Sequence, residues 1–118
     1  MKQLTLINSS APYQTGNAQE SLDFAMVAGT FGQAVSLLFM GDGVFQLLGN
    51  QQGKIIGRKT LSKTLAALEF YDIDDIYVCA NSLSQRYLNT NDLVITAKPL
   101  QASEIQQLFA NSDQLMRF

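Results

Sequence analysis

Short apolar runs alternate with segments whose apolar positions recur at helical spacing. Leu4-Thr5-Leu6-Ile7 reads as a first buried strand. Ser9 to Gly16, punctuated by Pro12 and Gly16, reads as a loop. Asn17 is a natural N-cap with Glu20 three residues on, which predicts a helix from about 18 to 31. Ala34 to Met40 is a second buried strand, and Gly41-Asp42-Gly43 ends it in a tight turn with a helix cap. A short helical or irregular piece follows at Val44 to Leu48, then the flexible Gly49 to Gly53 linker. A helix is expected from about Arg58 to Phe70, with Leu61, Leu65 and Leu68 on one face. Ile76 to Cys79 is a third strand, followed by a helical turn near Leu83 to Tyr87. Asp92 to Thr96 is expected as a fourth strand. Ser103 is positioned to cap a helix from about Glu104 to Ala110, and Leu115 to Phe118 reads as a closing strand.

Strands and helices that alternate with short connections imply a parallel sheet covered on both faces. The expected class is therefore α/β, a three-layer sandwich of the flavodoxin-like kind around a five-stranded parallel sheet. The 118 residues amount to a single domain, residues 1–118, with no internal repeat.

The first helix departs from the usual pattern of one apolar stripe. Leu22, Ala25, Met26 and Gly29 form the expected core stripe. Phe24, Val27 and Phe31 form another, which a single sheet does not cover; they are the candidate subunit interface. Composition agrees with a covered surface. Hydrophobic residues make up 47% of the chain and charged residues only 15%, a low charge for a small domain that must clothe its surface alone.

The charge balance narrows the partners. Net charge is −2, and four of the eight cations fall in one stretch, Lys54, Arg58, Lys59 and Lys63. That reads as a solvated helix face rather than the broad basic footprint of a nucleic-acid binder, so no direct nucleic-acid contact is expected. No run approaches the length of a membrane span, and no membrane contact is expected. The polar Asn8-Ser9-Ser10 arrives too early for a signal peptide, and one cysteine makes no internal disulfide. Both fit a cytoplasmic protein.

Chemistry is tightly restricted. The chain has no histidine, which rules out histidine-based nucleophilic triads and Cys/His zinc sites; no metal or cofactor is expected. Gly41-Asp42-Gly43 begins like a dinucleotide loop, but Gln46 stands where a third glycine belongs. A flavodoxin-like ligand-binding module, flavin included, has only the fold class behind it. The single cysteine, Cys79, closes the third strand at the sheet end where α/β proteins gather their reactive groups. A thiolate there is able to carry a persulfide sulfur, if a helix N-terminus or a cation such as Arg86 lowers its pKa. A buried cysteine that only packs is the alternative reading.

Four segments together carry a resemblance: Pro12 with Glu20-Ser21-Leu22-Asp23; Gly41-Asp42-Gly43-Val44-Phe45-Gln46-Leu47-Leu48; Tyr71-Asp72-Ile73 leading to Tyr77-Val78-Cys79-Ala80-Asn81-Ser82-Leu83; and the ending Arg117-Phe118. The chain resembles the DsrE/DsrF-like sulfur-relay family nearly end to end, and most closely its DsrF-type subunits. The resemblance implies a DsrEFH-like five-stranded domain, and a heterohexamer with sister subunits of the TusB and TusD types. It implies a persulfide relay from a TusA-like donor to a TusE-like acceptor, ending in 2-thiouridine at the tRNA wobble position. In that relay the key persulfide cysteine belongs to the TusD-type chain, and DsrF-type chains serve assembly. Two other roles stay open on the same resemblance. One is a sulfurtransferase in its own right with Cys79 as carrier. The other is a subunit of a DsrEFH-type complex in dissimilatory sulfur oxidation.

Overall fold

The computed structural model describes residues 3–9, 17–47, 73, 75–93 and 96–118. Their elements are β1 (Gln3–Asn8), α1 (Asn17–Thr30), β2 (Ala34–Phe39), a 3₁₀ segment (Gly41–Leu47), β3 (Asp75–Cys79), α2 (Ala80–Gln85), a 3₁₀ turn (Thr90–Asp92), β4 (Lys98–Leu100), α3 (Ala102–Ala110) and β5 (Gln114–Arg117). The five strands form one all-parallel sheet in the order β4-β3-β2-β1-β5. The expected helix at Arg58 to Phe70, the basic stretch around it and most of the Ser9 to Gly16 loop lie outside the described residues.

This order fixes which face each helix covers. From β1 to β4 the chain steps steadily in one direction, and only the last crossover, through α3, returns past β1 to the far edge. Parallel crossovers are right-handed, so reversing direction puts the last helix on the opposite face. The packing follows this rule. Leu4, Leu6, Val35, Leu37, Phe39 and Val78 pack with Leu22, Ala25 and Ala28 of α1 and Leu83 of α2 on one face. Leu38, Cys79 and Leu100 pack with Ile105 of α3 on the other.

Strand alternation sorts these residues. Asn8 joins Leu4 and Leu6 on the α1 face, whereas Gln3, Thr5 and Ser36 turn to the α3 face. There, Gln3 Nε2 donates to Ser36 Oγ at 2.6 Å. Thr5 and Ser112 hydroxyls lie 2.6 Å apart, and Ser112 Oγ donates to the Leu108 carbonyl at 2.6 Å. Thr5 therefore donates to Ser112, and no hydroxyl of that chain is stranded.

Two expectations need correction. The fourth strand does not begin at Asp92, and Val94 and Ile95 of the expected Asp92 to Thr96 strand lie outside the described residues. Asn89 Oδ1 accepts the Asn91 N–H at 2.9 Å and the Asp92 carboxylate accepts the Asn89 N–H at 3.0 Å, which closes a capped 3₁₀ turn instead. The strand is Lys98–Leu100, where Pro99 lies on an edge and has no inner ladder to break. Ser103 does not cap α3. Gln101 holds the N-cap, and its N–H donates to Glu104 Oε1 at 2.9 Å.

Candidate functional site

The carboxyl ends of β1, β2 and β3 converge, and the turn after β2 decides how closely. Gly41 has φ +55°, a backbone region that suits glycine. Two residues later, a Cβ on Gly43 would meet the Asn8 carbonyl oxygen at 1.9 Å. The glycines thus let the 3₁₀ segment lie directly on the end of β1, where Met40 N–H donates to the Asn8 carbonyl at 3.0 Å. Val44 and Leu47 are driven into the core, and Gln46 is buried beside them. The Gly-Asp-Gly-Val-Phe-Gln-Leu run is a packing device in this fold.

Cys79 ends β3 and is the N-cap of α2, only 9% exposed. The alternation of β3 turns its side chain to the α3 face, in a cluster with Leu38, Leu100 and Ile105. Its sulfur makes no capping hydrogen bond to the amides of α2. Arg86 is not its partner either. That guanidinium donates to Asp42 Oδ1 at 3.1 Å and to the Ser82 carbonyl at 3.1 Å, and it lies 5.8 Å from the Phe45 ring centroid. Arg86 is committed to tying α2 to the 3₁₀ segment, a tie that the Gly41 N–H reinforces by donating to Ser82 Oγ at 2.9 Å. The Asp42 side chain is 59% exposed, so the ion pair contributes at most about 1 kcal/mol. Of the two supports that a reactive thiolate needs, the helix amides give no capping bond to the sulfur and the Arg86 guanidinium is engaged elsewhere.

The outward stripe of α1 is present as an exposed surface. Phe24 is 40% exposed, Val27 58% and Phe31 79%. Phe24 is the least exposed because its ring leans on Phe118, with centroids 6.4 Å apart. The core stripe includes Leu22 and Ala25 as expected, and Ala28 joins it; Met26 is half-buried. Sequence reasoning missed Tyr87, which is 96% exposed with φ 57°. Nothing in its composition marked it, because a tyrosine after a short helix looks like any surface aromatic. Among the described residues no cluster of metal-ligating side chains occurs, and no helix is long and apolar enough to cross a membrane.

A five-stranded parallel sheet with helices packed against it makes this a small α/β protein, and comparison with known proteins gives its family. The chain belongs to the DsrE/DsrF-like family, whose pattern matches residues 2–118. It is similar to proteins named TusC homolog from two Vibrio vulnificus strains, each 36% identical over 118 residues and aligned along the full length of both chains. A TusC homolog from Aliivibrio fischeri is 34% identical, again over both full lengths. The crystal structure of the ychN protein from E. coli superposes over both whole chains with a TM-score of 0.85 at 20% identity, a likeness of fold.

Proposed function

We propose that this chain is a TusC-type subunit of a sulfur-relay complex, and that it contributes surface to the assembly rather than a sulfur-carrying thiol. Its relatives along the full chain carry the TusC name. The observation that carries the second half is the setting of Cys79. A persulfide carrier must be attacked by one partner's sulfur and then deliver to another's, so it needs access and a stabilised thiolate. Cys79 is walled by Leu38, Leu100 and Ile105 and takes no amide or guanidinium hydrogen bond among the described residues.

In this reading the complex passes persulfide sulfur from a TusA-like donor to a TusE-like acceptor for 2-thiolation of the tRNA wobble uridine. The chain sits beside TusB-type and TusD-type sisters in a cytoplasmic heterohexamer. The sulfur stays on the TusD-type cysteine. The chain's own chemistry is limited to shaping that neighbour's surroundings through apolar contact, with the Phe24, Val27 and Phe31 flank as the docking surface. Large apolar side chains left in water on an ordered helix recover their burial energy only against a companion.

Two measurements test the proposal. Co-expressed with TusB-type and TusD-type sisters, Phe24→Glu folds as a domain but fails to co-purify with them; undiminished co-purification contradicts the docking surface. A maleimide probe at neutral pH labels Cys79 of the folded chain at least about tenfold more slowly than a free thiol, and at the free rate once the chain is unfolded. Fast labelling of the native chain would favour Cys79 as a carrier in its own right.

A further inference from the structure

We infer that a single water molecule is bound inside the chain, held between Asn8 at the end of β1 and Ser21 in the second turn of α1. The inference stands apart from the assembly reading and concerns two side chains that reading does not use.

Asn8 is fully buried. Its Nδ2 donates to the Leu6 carbonyl at 3.2 Å and to the Leu38 carbonyl at 3.5 Å. Turning the amide over would set Oδ1 against those two carbonyls, so the bonds fix its orientation. Oδ1 is thereby committed to accepting, and no group among the described residues donates to it. The backbone carbonyl of the same residue, by contrast, takes the Met40 N–H at 3.0 Å.

Ser21 is equally buried, and its Oγ has no partner among the described residues. A serine or threonine inside a helix has a ready acceptor in the carbonyl four residues back. Thr30 uses it in this same helix, donating to the Met26 carbonyl at 2.8 Å. Ser21 takes no such bond, which leaves its hydroxyl to the layer between helix and sheet.

The fold brings the two oxygens to one place. Asn8 shares the face of Leu4 and Leu6, which pack with Leu22 and Ala25 of α1. The crossover that joins β1 to β2 starts α1 from the carboxyl end of β1 and runs it back along the sheet. Ser21 stands four residues in, about 6 Å along the helix axis, level with the last residues of β1. The 3₁₀ segment seals that end, because it lies directly on the Asn8 carbonyl at Gly43.

Burial and charge select the occupant. No ionised side chain is buried among the described residues, so an ion enclosed here would lack a counter-charge. A buried acceptor without a donor is costly, and water is the smallest neutral molecule that supplies one. It gives one hydrogen to Asn8 Oδ1 and shares a second bond with Ser21 Oγ, the two polar partners that an internal water needs at least. The bridge is directional, whereas the leucine contacts around it are not, so it sets where the first turns of α1 sit along β1.

Two measurements on the full chain test the inference. A high-resolution crystal structure is expected to show one water within about 3.2 Å of both Asn8 Oδ1 and Ser21 Oγ. Magnetic relaxation dispersion of the solvent nuclei counts internal waters of long residence. It is expected to find one fewer in Asn8→Leu/Ser21→Ala than in the parent chain. Ser21→Ala alone, which only trims a hydroxyl, gives the reading if the double variant does not fold, and its count also falls by one. A direct bond between Ser21 and Asn8, a protein donor on Asn8 Oδ1, an ordered ion in the water's place, or a count unchanged in the folded variants overturns the inference.

Discussion

At the residue scale, two positions show opposite uses of backbone freedom. Gly43 is required by space: the Asn8 carbonyl occupies the place of a Cβ, and both partners are backbone. Gly43→Ala is expected to cost roughly 3 kcal/mol or more, read as a fall in the chemical-denaturation midpoint. Tyr87 is the reverse case. Leu88 N–H bonds to the Leu83 carbonyl at 2.9 Å and Tyr87 N–H to the Ser84 carbonyl at 3.1 Å, the pair of bonds that closes a helix on a left-handed residue. Glycine normally fills that place, yet here a tyrosine stands there almost fully in solvent. Tyr87→Gly is expected to stabilise the isolated chain by up to about 1 kcal/mol, seen as a rise in Tm of a few degrees. Cys79 was legible in the sequence as to place, because a lone thiol ending an apolar strand marks itself. Its surroundings were not. Leu100 comes from β4, paired beside β3, and Ile105 from the helix after it, which the return crossover lays over the thiol.

At the element scale, α1 was the most legible segment. Its two apolar stripes are separate in the sequence, and the structure buries one while leaving the other exposed. The consequence is a split in mutational response. Leu22→Ala, at a fully buried site, should cost about 2–5 kcal/mol, whereas Phe31→Ala should change monomer stability by no more than about 0.5 kcal/mol. Equal losses in thermal unfolding would mean that Phe31 is covered within its own chain. The fourth strand was the least legible. Leu93 and the residues after it have strand composition, but Asn89 and Asp92 seize the preceding backbone in a local turn, whose bonds form without any long-range partner. Lys98-Pro99-Leu100 carries no strand signal of its own, and is a strand because β3 offers it an edge. Edge strands are specified by their neighbours, which a local pattern does not contain.

At the scale of the whole molecule, alternating elements were enough to give the α/β class and the parallel sheet. The order β4-β3-β2-β1-β5 was not deducible from alternation, because the final crossover is equally well formed toward either edge. Yet that order leaves α3 as the described helix over one face and places β5 beside the phenylalanine flank. Solution behaviour follows partly from composition. With no histidine, no side chain of that type titrates near neutrality, so the pH response belongs to the extremes. Burial, with the nearby Asp75 charge adding to it, holds the Tyr77 hydroxyl above its ordinary pKa of 10.0. A folded-state pKa raised in this way contributes stability that is complete below about pH 10 and is lost as pH rises through the higher folded value. Denaturation midpoints should fall above that pH, and Tyr77→Phe should flatten the fall.

The central claim is that this chain serves a sulfur relay through its surface and not through its thiol. The most direct measurement is the 2-thiouridine content of tRNA in cells whose only copy carries Cys79→Ser, with the complex confirmed intact by co-purification. The account predicts content close to that of the parent. Loss of 2-thiouridine from an intact complex would contradict it.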